Sequence, residues 1–285
     1  MSHDSAARLC ANCGASIQSA FCAACGEKRF DHHDLSVGHF FEHAFEAFVH
    51  FDHSILRTLR ALVLQPGRLT ADWAAGRRKS FHPPVQLFLL MNVLYFVATA
   101  LNGWNTLATN LDTHISWTGH QEIAKSMVDG QLAARGVTLK EYRPVFDAKS
   151  TIQAKSLVIL MVPVFAVAVA LLSLWSGRYV VEHLVFSVHV HAFILLYLSV
   201  STSLTTVVLG ALRYGGIRPT SQAIDEVVSG VWLLILSLYL AVAVRTMYRN
   251  GWLLSIAKAG LLCYAWLTML RLYRFALFLV TFYST

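Results

Sequence analysis

The chain has 285 residues, of which 56% are hydrophobic and only 14% are charged. Soluble domains carry about 25% charged residues, so this composition excludes an ordinary soluble enzyme. Together with a mean hydropathy of +0.53, it is typical of a protein that crosses a membrane several times. The net charge of +7 comes mostly from basic residues beside apolar stretches, which favours an anionic membrane surface as partner, and no nucleic acid is expected.

Four of the five cysteines form two Cys-x-x-Cys pairs near the N-terminus. Each pair is followed by a glycine, Gly14 or Gly26, which permits the tight backbone of a knuckle. Four thiolates at this spacing favour tetrahedral Zn²⁺ in a reducing compartment over disulfides, with a rubredoxin-type iron site as the alternative. We predict a closed, structural zinc ribbon over residues 1–30, serving as a folded tag or as a docking module for a cytoplasmic protein partner. Its ligands would be Cys10, Cys13, Cys22 and Cys25.

Residues 31–82 are predicted to form His-rich amphipathic helices on the cytoplasmic membrane face. At about 100° per residue, one stripe about 60° wide holds His39, His43, Glu46 and His50. His-x-x-x-His is a natural bidentate metal arrangement, although an interfacial helix with its polar face in water is the simpler interpretation.

Two further helices are expected before the first apolar stretch. Asp52 or Ser54 would cap one that ends near Pro66, and Thr70 would cap the other. A basic cluster, Arg77-Arg78-Lys79, follows and is typical of the cytoplasmic end of a span.

Five apolar stretches follow, each near the length of about 20 residues that crosses a bilayer. They are 84–101, 157–175, 184–209, 227–244 and 252–283, within a transmembrane domain at 83–285. Nine Lys and Arg residues precede the first stretch, which places the N-terminus in the cytoplasm and the C-terminus on the periplasmic side. The polar segment 102–154 is then an extracytoplasmic loop, with helices expected near 120–135 and 138–153.

Ionisable residues interrupt the third stretch, which is predicted to be helical from about 179 to 212. A charge at mid-membrane costs about 2.5–3.5 kcal/mol on insertion scales, so such a cluster is a functional-site hypothesis. The cluster consists of Glu182, His183, His189 and His191. Glu182 and His189 fall about 20° apart on a helix, whereas His191 lies nearly opposite Glu182. A metal here would therefore need further ligands, and the stripe at 39–50 lies on the same side of the membrane.

Two alternatives to a metal site remain open for this cluster. One is a metal-free proton or hydrogen-bond network, since a buried histidine is usually a hydrogen-bonded core residue. The other is plain interfacial structure, with Glu182 and His183 at the start of the helix, where a carboxylate suits the macrodipole. In the fifth stretch, Arg271 and Arg274 would bind an anionic headgroup or phosphate, snorkel to the outer surface, or pair with carboxylates.

Several motifs together resemble an uncharacterised bacterial family of polytopic membrane proteins, a domain of unknown function with an N-terminal zinc ribbon. They are FCAACGEKR, HFFEHAFEAFVHFDHSILRTLRALVLQPG, AAGRRKSFHPP, EHLVFSVHVHAF and LYRFALFLVTFY. The resemblance covers nearly the whole chain except the loop at 102–154, and it implies a ribbon but no activity. Glu27 departs from the pattern, because similar proteins often have Gln there. The resemblance places in the family's pattern the four cysteines and His39, His43, His50, Asp52, Glu182, His183, His189 and His191.

The sequence thus predicts an all-α polytopic protein of the bacterial inner membrane, with about five transmembrane helices after a zinc ribbon and amphipathic cytoplasmic helices. The first functional hypothesis is a metal-dependent enzyme acting on a lipid or other hydrophobic substrate, with a second divalent metal, Zn or Fe. The alternatives are a transporter or metal-handling permease, which with five spans would act as a homodimer, and a non-catalytic scaffold that recruits a partner through the ribbon.

Each candidate residue has a role in the enzyme hypothesis. Glu46, Asp52 or Glu182 would orient a ligand or act as general base, and Arg271 and Arg274 would bind substrate. The ligands of the second metal would be His39, His43, His50, His183, His189 and His191.

Overall fold

The computed structural model describes residues 8–29, 54–116 and 118–285. Two short strands at the N-terminus form an antiparallel hairpin, β1 (Arg8–Leu9) and β2 (Ser16–Ile17). The helices that follow are α1 (Ser54–Leu64), α2 (Arg68–Ala74), α3 (Pro84–Asn102), α4 (Leu111–Ser116), α5 (Gln121–Arg135), α6 (Leu139–Leu172), α7 (Val180–Tyr214), α8 (Ser221–Tyr248) and α9 (Trp252–Ser284). A 3-10 turn at Leu174–Ser176 separates α6 from α7.

Within the described residues, five helices are long and apolar enough to cross a membrane: α3, α6, α7, α8 and α9. The predicted class, an all-α polytopic membrane protein with a cysteine cluster ahead of its spans, is confirmed. We call the end of the bundle where α3, α7 and α9 begin the ribbon side, and the end where they finish the far side.

The second span differs from the expectation for the loop. The helix expected near 120–135 is α5, but the one expected near 138–153 continues without a break into the second span as the 34-residue α6. Thr138 starts α6 with a capping box: its hydroxyl accepts from the backbone N–H of Glu141, whose carboxylate accepts from the N–H of Thr138. No glycine or proline lies between 153 and 157, so the helical hydrogen bonds run on from the polar segment into the apolar one.

Helix α7 is the centre of the bundle. It packs against α3, α6 and α8, and on the ribbon side it also touches α1 and α2. Every residue from 181 to 195 is buried, including the Glu and the three His. A helix that is apolar nearly all round is expected in the interior of a protein. The Glu and the three His of this stretch therefore face neighbouring helices and not surrounding lipid.

The α1–α2 hairpin packs into the ribbon side of the bundle. Gly67, at the turn, has a positive φ of 81°, and a Cβ added there would collide with the backbone of Ala243 in α8. Both the conformation and the close approach require glycine. The prediction that Thr70 caps a helix is wrong: α2 begins after Gly67, and Thr70 lies buried inside it. The Thr70 hydroxyl hydrogen-bonds to His189 of α7 and not to a backbone N–H of α2, as a helix cap would.

Candidate functional site

The four N-terminal cysteines converge on one point. Their Sγ atoms all lie within 4.8 Å of one another, with Cys10 and Cys25 3.6 Å apart and Cys13 and Cys22 also 3.6 Å apart. A tetrahedral zinc bound at about 2.3 Å to each sulfur separates the sulfurs by about 3.8 Å, so this donor set fits a metal ion such as zinc. Among the described ranges, it is the one group of three or more His, Cys, Asp or Glu side chains close enough to hold a metal.

The backbone of each Cys-x-x-Cys-Gly unit explains why the thiols converge. The N–H of Gly14 donates to the carbonyl of Cys10 (2.9 Å), and the N–H of Gly26 donates to that of Cys22 (2.8 Å). Both glycines have φ between 70° and 80°, a conformation that favours glycine. The two knuckles are thus equivalent, as their repeated sequence indicates.

Glu27 fixes the ribbon to the segment before the first span. Its side chain is only 5% exposed, and its Oε2 accepts from the backbone N–H groups of Arg78 (3.0 Å) and Lys79 (2.8 Å). The hydroxyl of Ser80 donates to Oδ1 of Asn12 at 2.7 Å. The sequence analysis treated Glu27 only as a departure from a family pattern. An acidic residue beside a knuckle, followed later by a basic run, was the signal that could have predicted this contact.

A cavity of about 600 Å³ lies between the ribbon and the α1–α2 hairpin. Within it, the Asp72 carboxylate pairs with Arg68 (3.3 Å) and with Arg77. Arg57 adds a third guanidinium, so the lining is basic and suits an anionic group. The lining residues are Asn12, Arg57, Arg68, Asp72, Arg77, Ser80 and Phe81.

Glu182 caps the start of α7. Its Oε1 accepts from the Arg178 guanidinium at 3.1 Å, and its Oε2 accepts from the backbone N–H of Tyr179 at 2.8 Å. The side chain is 3% exposed. Both oxygens are therefore engaged in holding the helix N-terminus, which was one of the alternative interpretations of the sequence.

The three histidines of α7 turn to three different neighbours. Nδ1 of His183 lies 2.7 Å from the hydroxyl of Tyr248 in α8, and Nδ1 of His189 lies 2.9 Å from that of Thr70 in α2. Nδ1 of His191 donates to the carbonyl of Ser187 at 2.8 Å. At about 100° per residue, these spacings spread the rings around the helix, so the three imidazoles do not converge. All three nonetheless use Nδ1 for their hydrogen bond.

The other half of the predicted second site lies outside the described residues. It comprises His39, His43, Glu46, His50 and Asp52. The structure does bring His189 against the hairpin that directly follows this segment in the chain.

The two arginines of the fifth span differ in their surroundings. Arg271 is exposed on α9. Arg274 turns into the far side of the bundle, where one guanidinium nitrogen donates to the carbonyl of Thr106 at 3.4 Å. Its buried Nε has no hydrogen-bond partner among the described residues. Arg274 lines a cavity of about 290 Å³.

A histidine pair on the far side, within the loop at 102–154, was missed by the sequence analysis. Nδ1 of the fully buried His114 lies 3.1 Å from Nε2 of His120, and the His114 ring packs against Phe146 and Phe278. Burial lowers the pKa of His114 to about 3, and the charges of His120 and Arg274 add to this. Burial and Arg274 also lower the pKa of His120. Two histidines six residues apart carry no recognisable sequence signal.

The fold and the cysteine cluster define a multi-pass helical membrane protein with a candidate metal site. Residues 52–96 match the family described as "Protein of unknown function (DUF3667)". Together with the cysteine cluster, this match confirms the resemblance to an uncharacterised family with an N-terminal zinc-ribbon-like motif, while a bacterial origin stays a prediction. No curated protein and no solved structure gives a significant match.

Proposed function

We propose that the protein is a membrane-embedded metal-dependent enzyme that acts on a lipid or other hydrophobic substrate at the cytoplasmic surface of the bacterial inner membrane. In this proposal, the ribbon holds a structural zinc, and a second divalent metal lies between α7 and the segment before α1. The observation that carries it is the 2.9 Å contact between His189 and Thr70, which joins a buried imidazole of α7 to the hairpin.

The geometry of His189 suits a metal ligand. A ligating histidine usually gives its other ring N–H to a hydrogen-bond acceptor, which fixes the tautomer and the ring orientation. In the tautomer whose Nδ1–H donates to the Thr70 hydroxyl, Nε2 keeps its lone pair for a metal. Residues 39–50 come shortly before Ser54 in the chain, and Ser54 begins the hairpin that holds Thr70. We therefore propose that His189, His39, His43 and His50 bind the second metal. In this proposal, His183 and His191 hold the neighbouring helices in position around the site.

The chemistry of such a site is hydrolytic. A divalent metal held there would supply Lewis-acid activation of water. Glu182 is engaged in capping α7, so Glu46 or Asp52 is the better choice of general base. The basic cavity beside the hairpin supports a lipid substrate, because Arg57, Arg68 and Arg77 present guanidinium groups that suit an anionic headgroup.

Metal content per chain, measured by elemental mass spectrometry, tests the proposal. We expect two metals in the wild type and one in a variant with all four ribbon cysteines changed to Ser. Adding His189→Gln to that variant should remove the second metal, whereas His191→Gln, whose ring faces α6, should leave it bound. A four-Ser variant without metal, or equal loss with both glutamines, would contradict the second site.

A non-catalytic scaffold is the second candidate, and the docking of the ribbon favours it. Glu27 holds the ribbon in a fixed position on the membrane domain, while Leu9 and Phe21 remain exposed on its surface. A fixed apolar surface of this kind suits a cytoplasmic protein partner. A wild-type chain with a single metal, lost when the cysteines are changed, would favour this scaffold over the enzyme.

A further inference from the structure

The far-side cavity contains two opposite charges that do not pair with each other. Arg274 of α9 and Asp147 of α6 both line it, yet no ion pair joins them among the described residues. Their separation across one cavity leaves room for a ligand between them.

Arg274 is poorly satisfied by the protein itself. Its guanidinium makes one hydrogen bond, to the carbonyl of Thr106, and its buried Nε makes none among the described residues. The hydroxyl of Thr109 lines the same cavity and is also buried, and none of the described residues is its hydrogen-bond partner. A buried cation without a counter-charge is costly, so these groups point to an anionic partner that is not part of the chain.

Asp147 is only partly satisfied as well. Its Oδ1 accepts from the backbone N–H of Leu111 at 2.7 Å, and no ion pair includes it among the described residues. The nearby Arg143 is paired with Asp112 at 2.9 Å, so these two residues together add no net charge beside Asp147. Asp147 therefore offers a carboxylate to a hydrogen-bond donor on a ligand.

The walls of the cavity are held in place before any ligand binds. The hydroxyl of Tyr95 accepts from the backbone N–H groups of Thr106 (3.0 Å) and Leu107 (3.1 Å). Oδ1 of Asn105 accepts from the N–H of Ala108 at 2.8 Å, and Ser150 of α6 donates to the carbonyl of Thr109 at 2.8 Å. Such preorganisation lowers the entropic cost of binding.

We infer that this cavity is a binding site for a small zwitterionic phosphate ester, with the phosphate on Arg274 and an ammonium group on Asp147. One positive and one negative wall charge match a zwitterion better than a simple anion, and a guanidinium matches the oxygens of a phosphate. The remaining polar walls are hydroxyls and amides that suit phosphate oxygens. At about 290 Å³, the cavity is close to the lower limit of about 300 Å³ for ligand pockets.

This ligand has two sources, the headgroup of a phospholipid or a free phosphoethanolamine. The cavity lies at the end of the spans, where headgroups are found, so the lipid headgroup is a natural source. The inference does not rest on the proposed enzyme, because its residues lie at the opposite end of the bundle from His189.

Binding to the purified full-length chain in detergent tests the inference, with phosphoethanolamine as the soluble probe and inorganic phosphate for comparison. A second arm compares nanodiscs that contain phosphatidylethanolamine or phosphatidylglycerol, with bound lipid counted by native mass spectrometry. We expect phosphoethanolamine to bind better than inorganic phosphate, or phosphatidylethanolamine to bind better than phosphatidylglycerol, because each comparison ligand lacks the ammonium group. Binding of only the lipid assigns the headgroup as the source, and binding of the soluble probe assigns the free ester.

Two substitutions locate the site. Arg274→Gln and Asp147→Asn should each weaken binding about tenfold or more, since each removes a charge-assisted hydrogen bond. Arg213→Gln is the control: it removes an exposed cation from the far-side end of α7 and should leave affinity unchanged. Asp147→Asn is nearly isosteric and keeps the test valid if the Arg274 variant does not fold.

Three results would overturn the inference. They are absence of binding in both arms, equal loss with Arg213→Gln, and inorganic phosphate binding as tightly as phosphoethanolamine with no effect of Asp147→Asn.

Discussion

The two ends of the bundle differ in how they hold the ionisable groups that the protein encloses. On the ribbon side, Asp72 and Glu182 pair with arginines, and Glu27 accepts two backbone N–H groups. On the far side, Arg274 and Asp147 share a cavity without pairing, and His114 contacts a second histidine. Paired groups position segments of the chain, whereas unpaired ones are available to a ligand or respond to pH. On the far side, the comparison therefore singles out Arg274 and Asp147 as candidates for binding, whereas Glu27 and Glu182 on the ribbon side hold segments of the chain in place.

The largest effect should come from the ribbon, where a bound metal would take the place of a hydrophobic core. We expect Cys22→Ser to unfold the ribbon, because structural zinc contributes about 10 kcal/mol or more to the folding of such small units and few other buried residues hold this one together. Limited proteolysis with mass spectrometry should then show cleavage within 8–29 while the spans stay intact. Cys263→Ser, far from the ribbon, is the control. A Cys22→Ser chain as resistant as wild type would show that the ribbon folds without metal.

Glu27 gives a smaller effect and tests whether ribbon-side pairing fixes the ribbon to the membrane domain. Glu27→Ala removes the buried carboxylate that accepts from the N–H groups of Arg78 and Lys79, and hydrogen bonds to a charged group contribute about 1.5–3 kcal/mol each. Glu27→Gln should cost much less, because one amide oxygen can replace Oε2, the atom that accepts both bonds. Hydrogen exchange of residues 77–80 measures the difference. Equal exchange in both variants would indicate that the ribbon does not depend on this contact.

Features read from local pattern were predicted well. Five long apolar stretches give a strong signal, and the last span, predicted at 252–283, is observed as Trp252–Ser284. The cysteine spacing likewise predicted the one group of the described residues that could hold a metal ion. In both cases the information lies within a short piece of chain.

Features that depend on packing between distant residues were not predictable. Thr70 contacts His189 across 119 positions, and helical periodicity gives only the direction of a side chain around its own axis. The same limit applies to Glu27 and to Arg274, whose partners lie in other segments. The unbroken α6 was missed for a different reason, since the change from polar to apolar residues indicates where the membrane begins but not where a helix ends.

The smallest effect concerns the pH response of the far side. His114 has a pKa of about 3 in the folded chain because it is buried, against an ordinary value near 6.5. Between these values the unfolded chain binds more protons than the folded one, so His114 makes stability fall as the pH drops below about 6.5. We expect His114→Gln to lose less thermal stability than wild type between pH 7.5 and pH 5. The measurement is the Tm in one detergent at both pH values.

Packing alone must be separated from titration in this test. Phe146→Leu disturbs the same aromatic cluster but removes no ionisable group, so it should lower Tm at both pH values and keep the wild-type difference between them. If His114→Gln and Phe146→Leu show the same difference, His114 does not contribute to the acid response. The far side would then resemble the ribbon side, and its buried histidine would count among the structural residues.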